Sequence, residues 1–162
     1  MSSKFKLKSF FSLLVMAPLI FGLVNYIYFT LDETKPKPLF NGLPLILLLT
    51  FTILWLFFGE FRTKMIKVVL NDDHLLVKSF GGLAMAKKYL YKDLDGFKTS
   101  ILRSRGGDNE YLYFIKNNSK VGKISDFYHK NYLELKKEIS SKLDDLGFEK
   151  FSYKDELKET FS

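Results

Sequence analysis

Cysteine is absent from the 162 residues, which excludes disulfides, a thiolate nucleophile and a thiolate-based metal site. Histidine occurs only at His74 and His129, and tryptophan only at Trp55. The chain contains no G-x-S-x-G, H-E-x-x-H or G-x-x-x-x-G-K-S/T, so the commonest signatures of hydrolase, zinc-peptidase and phosphate-loop chemistry are missing. Charge is missing too, over long stretches. Between Ser9 and Gly59 the only formal charges are Asp32, Glu33, Lys35 and Lys37, whereas from Glu60 onward charges arrive every few residues. An overall hydrophobic content of 47% therefore conceals two solvents, lipid for the first third and water for the rest.

The uncharged runs are SFFSLLVMAPLIFGLVNYIYF at 9–29 and LFNGLPLILLLTFTILWLFF at 39–58. Each is about 20 residues long, enough to cross a hydrocarbon core of ~30 Å at ~1.5 Å per residue. In the second run about a dozen apolar residues at roughly −0.3 to −0.6 kcal/mol each outweigh Asn41 near one end. Buried helices of a soluble protein would keep a polar face, and neither run has one. A cleaved signal peptide fits poorly as well: the first run exceeds an h-region and no A-x-A site follows it. The expected organisation is an N-tail at 1–8, spans at 9–30 and 39–59, a short loop at 31–38, a soluble domain at 60–147 and a charged tail at 148–162. Neither span holds an ionisable residue at depth, which argues against an ion pathway.

Lys4, Lys6 and Lys8 precede the first span and Arg62, Lys64 and Lys67 follow the second, against Lys35 and Lys37 between them. That bias predicts both termini in the cytoplasm. Beyond Gly59 the chain holds 20 Lys+Arg against 16 Asp+Glu, an excess of four. Such a mild, dispersed excess suits a surface near anionic headgroups and excludes the clustered stripe of a nucleic-acid binder.

After Phe61 the period becomes two. Strands are expected at 66–70, 75–80, 87–91, 94–102, 110–116 and 120–124, joined by tight turns. Tyr128, Tyr132, Leu135, Ile139, Leu143 and Leu146 recur at helical spacing and predict one amphipathic helix. Asp126 or Asn131 would cap it, Asn131 forming a capping box with Glu134, and Gly147 would end it. Residues 148–162 read as a loose helix or disordered. The expected class is thus a two-helix transmembrane hairpin plus an α+β domain, an antiparallel sheet or partly open barrel closed by a C-terminal α-helix.

Antiparallel strands, the Tyr91-Lys92-Asp93-Leu94 step between central strands and the terminal helix resemble the bacterial pleckstrin-homology-like (PH-like) domains. The paired spans upstream are similar to the membrane-anchored members of that group. The resemblance implies a bacterial inner-membrane protein and a binding or scaffolding module rather than an enzyme, with no cofactor. In phosphoinositide-binding relatives, basic residues surround the loop between the first two strands. Here that loop is Asn71-Asp72-Asp73-His74, an acidic segment whose residues suit turn hydrogen bonds better than a metal. The basic groups available to an anionic partner are instead Lys87, Lys88, Arg103 and Arg105. Beside the lipid bilayer itself, a protein partner or anionic lipid headgroups are the expected ligands. A small accessory or immunity-type membrane subunit is a further alternative. Tyr111 and Tyr113 beside Phe114 read as core and cross-strand pairs, not as a base-stacking platform.

Overall fold

A computed structural model describes residues 1–32, 42–104, 107–152, 154, 156 and 158. A 3-10 turn, Leu7–Phe10, leads into helix α1, Phe11–Leu31. Helix α2, Gly42–Trp55, continues as a π-helical stretch, Leu56–Arg62. The two helical segments, Leu7–Leu31 and Gly42–Arg62, are long and apolar enough to cross a membrane. Almost none of their surface is buried inside the protein: Phe11, Leu14, Phe21, Leu43, Leu47 and Phe51 are all exposed. Core helices of a soluble protein would show the reverse. The expected loop at 31–38 lies outside the described residues from position 33 onward.

Among the described residues the soluble part holds seven strands in two sheets. β1 (Lys67–Leu70), β2 (His74–Lys78) and β3 (Lys87–Leu90) form an antiparallel meander in the order β1-β2-β3. β4 (Gly96–Ser104), β5 (Gly107–Lys116) and β6 (Ser119–Ser125) form a second, which β7 (Asp145–Phe148) extends to β6-β5-β4-β7. The four-stranded sheet is mixed, because β7 runs parallel to β4, and among the described residues the two sheets do not close into a barrel. Gly96 permits this late pairing: a Cβ there would meet the Asp144 carbonyl oxygen at 2.4 Å.

Helix α3, Tyr132–Ser140, is shorter than its periodicity predicts. Leu143 stays in the core beyond the helix end, Leu146 is exposed, and Gly147 sits within β7 rather than at a helix terminus. Asn131 does occupy the N-cap position, yet its side chain makes no capping bond. The expected loose tail is also revised at its start, since Phe148 is in β7 and Phe151 packs against the Tyr111 ring, centroids 5.9 Å apart.

Two cores follow from β5, which is covered on both faces. Leu112 and Phe114 point inward to Val68, Leu70, Leu75, Val77, Phe97 and Ile124, where α3 contributes Leu135 and Ile139. Tyr111, Tyr113 and Ile115 point the opposite way, to Phe61, Met65 and Tyr128. This second core joins the sheet domain directly to the span ends: Phe80 meets Phe57 and Phe61 at ring-centroid distances of 5.3 and 5.7 Å.

The N-tail is not free. Ser3 N–H donates to Val68 O (2.8 Å) and Leu70 N–H to Met1 O (2.7 Å), so residues 1–3 cover the outer edge of β1. Lys6 N–H then donates to Tyr128 O (2.9 Å) and Lys130 N–H to Lys4 O (2.7 Å). Asn131 fixes the crossing: its Oδ1 accepts from Lys4 N–H (2.8 Å) and its Nδ2 donates to Ser2 O (3.0 Å). Bonded in this way, the strap and the sheet domain share one side of any membrane that α1 and α2 cross.

Candidate anion-binding cleft at the end of the second span

Arg62 is the last residue of the second apolar segment, and a cleft opens beside it. The cleft holds about 500 Å³ including its open mouth, and Arg62, Thr63, Ser79, Tyr113, Lys120 and Lys123 supply its polar lining. No carboxylate lines it among the described residues. The two lysines owe their shared position to a β-bulge. Residues three apart on a regular strand face opposite sides of the sheet. In β6, Gly122 pairs with Phe114 while Lys120 pairs with Ile115, so Val121 is the extra residue that turns Lys120 to the side of Lys123.

Both ammonium groups stand over the Tyr113 ring, at 4.3 Å for Lys120 and 5.9 Å for Lys123. The ring face attracts them electrostatically and limits their motion. Lys123 is only 3% exposed, whereas Lys120 is half-buried and shares its charge with Glu149 at 2.8 Å. The Glu149 carboxyl is held below the usual carboxylate range by its hydrogen bond from Lys120, with Lys98 adding to the effect. Arg62 makes no ion pair among the described residues. Its planar fork of donors suits two oxygens of one phosphate, and the lysines act as point charges beside it.

On the same side of the domain, Glu60 accepts from Lys64 (2.6 Å) and from the Tyr128 hydroxyl (3.0 Å). Burial, then the Glu60 charge, pushes the Tyr128 phenol well above its ordinary range. Both histidines have local roles. His74 bonds Asp73 through Nδ1 and accepts from Asn71 Nδ2 (2.9 Å) in the β1–β2 turn. His129 is buried, its Nε2–H donating to Ile66 O (2.9 Å) and its Nδ1 accepting from Ser125 N–H (3.1 Å).

The basic residues singled out by the sequence are distributed differently. Lys87 and Lys88 are adjacent and exposed on β3, the edge strand of the three-stranded sheet. Arg103 is exposed in β4 of the other sheet, opposite Asp108. Arg105 lies outside the described residues. Nothing in the sequence draws attention to Lys120 and Lys123, because plain alternation assigns them to opposite faces. The useful signal is Gly122, a glycine inside a strand, which marks either a bulge or a close approach. No family model, curated protein or solved structure matches the chain.

Proposed function

We propose that the chain is a membrane-anchored, non-enzymatic binding module whose ligand is a phosphate-bearing anion taken up in the Arg62–Lys120–Lys123 cleft. On this reading two spans hold a PH-like domain at the cytoplasmic face of a bacterial inner membrane, with both termini in the cytoplasm. The observation that carries the ligand class is a cleft lined by three cations and, among the described residues, by no carboxylate, at the end of the second apolar segment. Phosphates are the anions at that depth of a bilayer, and each basic residue near an anionic surface contributes about 1 kcal/mol. Counting Arg62 in full and Lys120, which Glu149 partly neutralises, at half, the cleft contributes about 1.5 kcal/mol, roughly a tenfold preference for an anionic over a neutral headgroup. Two meanders over one core with a helix against them support the PH-like reading. The parallel β7 and the acidic β1–β2 turn depart from it.

The test is competition binding to the full chain in detergent with dioctanoyl phosphatidic acid, dioctanoyl phosphatidylcholine and glycerol 3-phosphate. The phosphatidic acid is expected to bind at least tenfold tighter than the phosphatidylcholine. Arg62→Gln should remove most of that preference and Lys120→Gln a smaller part, whereas the exposed Lys130→Gln/Lys137→Gln pair should leave it unchanged. Matching affinity for glycerol 3-phosphate would identify a free phosphate ester as the ligand. Equal binding of the two lipids to the unmodified chain would refute the anion reading. A scaffold for a protein partner is the second reading, favoured by the open edge of β3, which an extended peptide can extend by strand addition.

A further inference from the structure

The segment joining β2 to β3, Ser-Phe-Gly-Gly-Leu-Ala-Met-Ala at 79–86, carries no charge. Leu83 is 84% exposed and Met85 93% exposed, the most exposed large apolar side chains among the described residues outside the two spans. A solvated hairpin loop has no reason to present two such side chains together. Its base is fastened at membrane depth. Phe80 lies against the Phe57 and Phe61 rings, and Gly81 N–H donates to Met65 O (2.7 Å). Phe57 precedes Glu60, the first charge after the apolar run, by three positions, so the contact places Phe80 about one helical turn or less inside the end of that run. Immediately after the apolar tip come Lys87 and Lys88, both exposed.

We propose that Leu83 and Met85 enter the headgroup–acyl boundary of the bilayer and form a third membrane contact beside the two spans, with Lys87 and Lys88 among the lipid phosphates. An apolar tip with adjoining lysines is the composition of an interfacial anchor, in which the ammonium groups stay with the phosphates while the apolar side chains leave water. Continuity with the second span selects lipid as the occupant: the rings holding the base of the loop belong to Leu56–Arg62, the stretch that directly continues the apolar helix α2. The contact also fixes the roll of the domain about the membrane normal, which two helix ends alone leave less constrained. Lys87 and Lys88 thereby acquire a headgroup role separate from the cleft.

This inference rests on the spans lying in a bilayer, and its test separates the two. Because the chain has no cysteine, single cysteines take one label cleanly. The full chain carrying Leu83→Cys or Met85→Cys is labelled with bimane and reconstituted in nanodiscs of phosphatidylcholine and phosphatidylglycerol, with or without brominated acyl chains. Leu47→Cys, exposed within α2, reports the hydrocarbon. Asp72→Cys, exposed in the turn at the far end of β1, reports water. Quenching at 83 and 85 is expected to reach at least half of that at 47, with none at 72. Quenching at 47 while 83 and 85 behave like 72 would overturn the third contact and leave the spans intact. Absence of quenching at 47 would overturn both.

Discussion

Asn131→Ala tests the strap directly. The Asn131 amide makes two bonds to it, accepting from Lys4 N–H and donating to Ser2 O, and the side chain is largely buried. Truncation leaves both backbone groups without that partner in a place with little water. At about 1–1.5 kcal/mol per bond the loss is about 2–3 kcal/mol of local stability, a roughly 30- to 150-fold rise in the opening equilibrium. Amide hydrogen exchange on the full chain in nanodiscs reads it out, because Ser3, Lys4 and Lys6 N–H groups are all bonded in the closed strap. Their exchange should accelerate by that factor while the amides of β5 stay protected. Asn131→Asp keeps the acceptor and loses the donor, so about half the free energy, roughly 5- to 13-fold, is expected. Unchanged exchange at Ser3 and Lys4 would refute the strap, and equal acceleration in β5 would mean that the domain opens only as a whole.

Gly122→Ala sets a methyl 3.1 Å from both Val77 methyl groups and 3.4 Å from the Phe114 ring. It should cost about 1–3 kcal/mol in thermal unfolding of the full chain in detergent, with Val77→Ala in the same chain recovering part of the loss. Phe80 adopts φ 54°, a left-handed conformation that costs a bulky residue about 1 kcal/mol or more. Phe80→Gly should therefore destabilise less than Phe80→Ala, although both lose the ring contacts; the opposite order would argue against the turn geometry. Burial holds the His129 imidazole below its usual range, so the folded chain keeps it neutral while the unfolded chain takes up a proton near about 6.5. Its contribution is complete above that pH and declines as pH falls below it, with a slope of at most about 1.4 kcal/mol per pH unit. Unfolding midpoints measured between pH 7.5 and 5 should fall accordingly, less steeply in His129→Gln.

The first six strands, β1 to β6, were legible because short runs rich in apolar and β-branched residues are separated by turn-forming ones. Tyr111 to Ile115 are all buried because the odd positions face the spans and the even ones face the other sheet. The spans are equally plain, since length and absence of charge are local properties. What escapes the sequence depends on distant partners. Ser-Ser-Lys-Phe-Lys-Leu-Lys reads as a solvated tail because its bonds run mainly through the backbone, to residues more than 60 positions away. The end of α3 was overrun because Leu143 keeps the helical period while already outside the helix. The cleft stayed hidden because one bulged residue changes which face a lysine occupies, and periodicity has no mark for an insertion of one.

The strap has a consequence for how the molecule is made. Residues 1–8 leave the ribosome ahead of both helices, yet the groups they bond, from Val68 to Asn131, are translated after them. Insertion of the hairpin must therefore be finished, with the leading segment kept on the side where the sheets will form, before the last edge of β1 can be covered. Until then the nascent chain carries an open strand edge beside the lipid, and completion of residue 131 is the earliest moment at which that edge can be sealed in full.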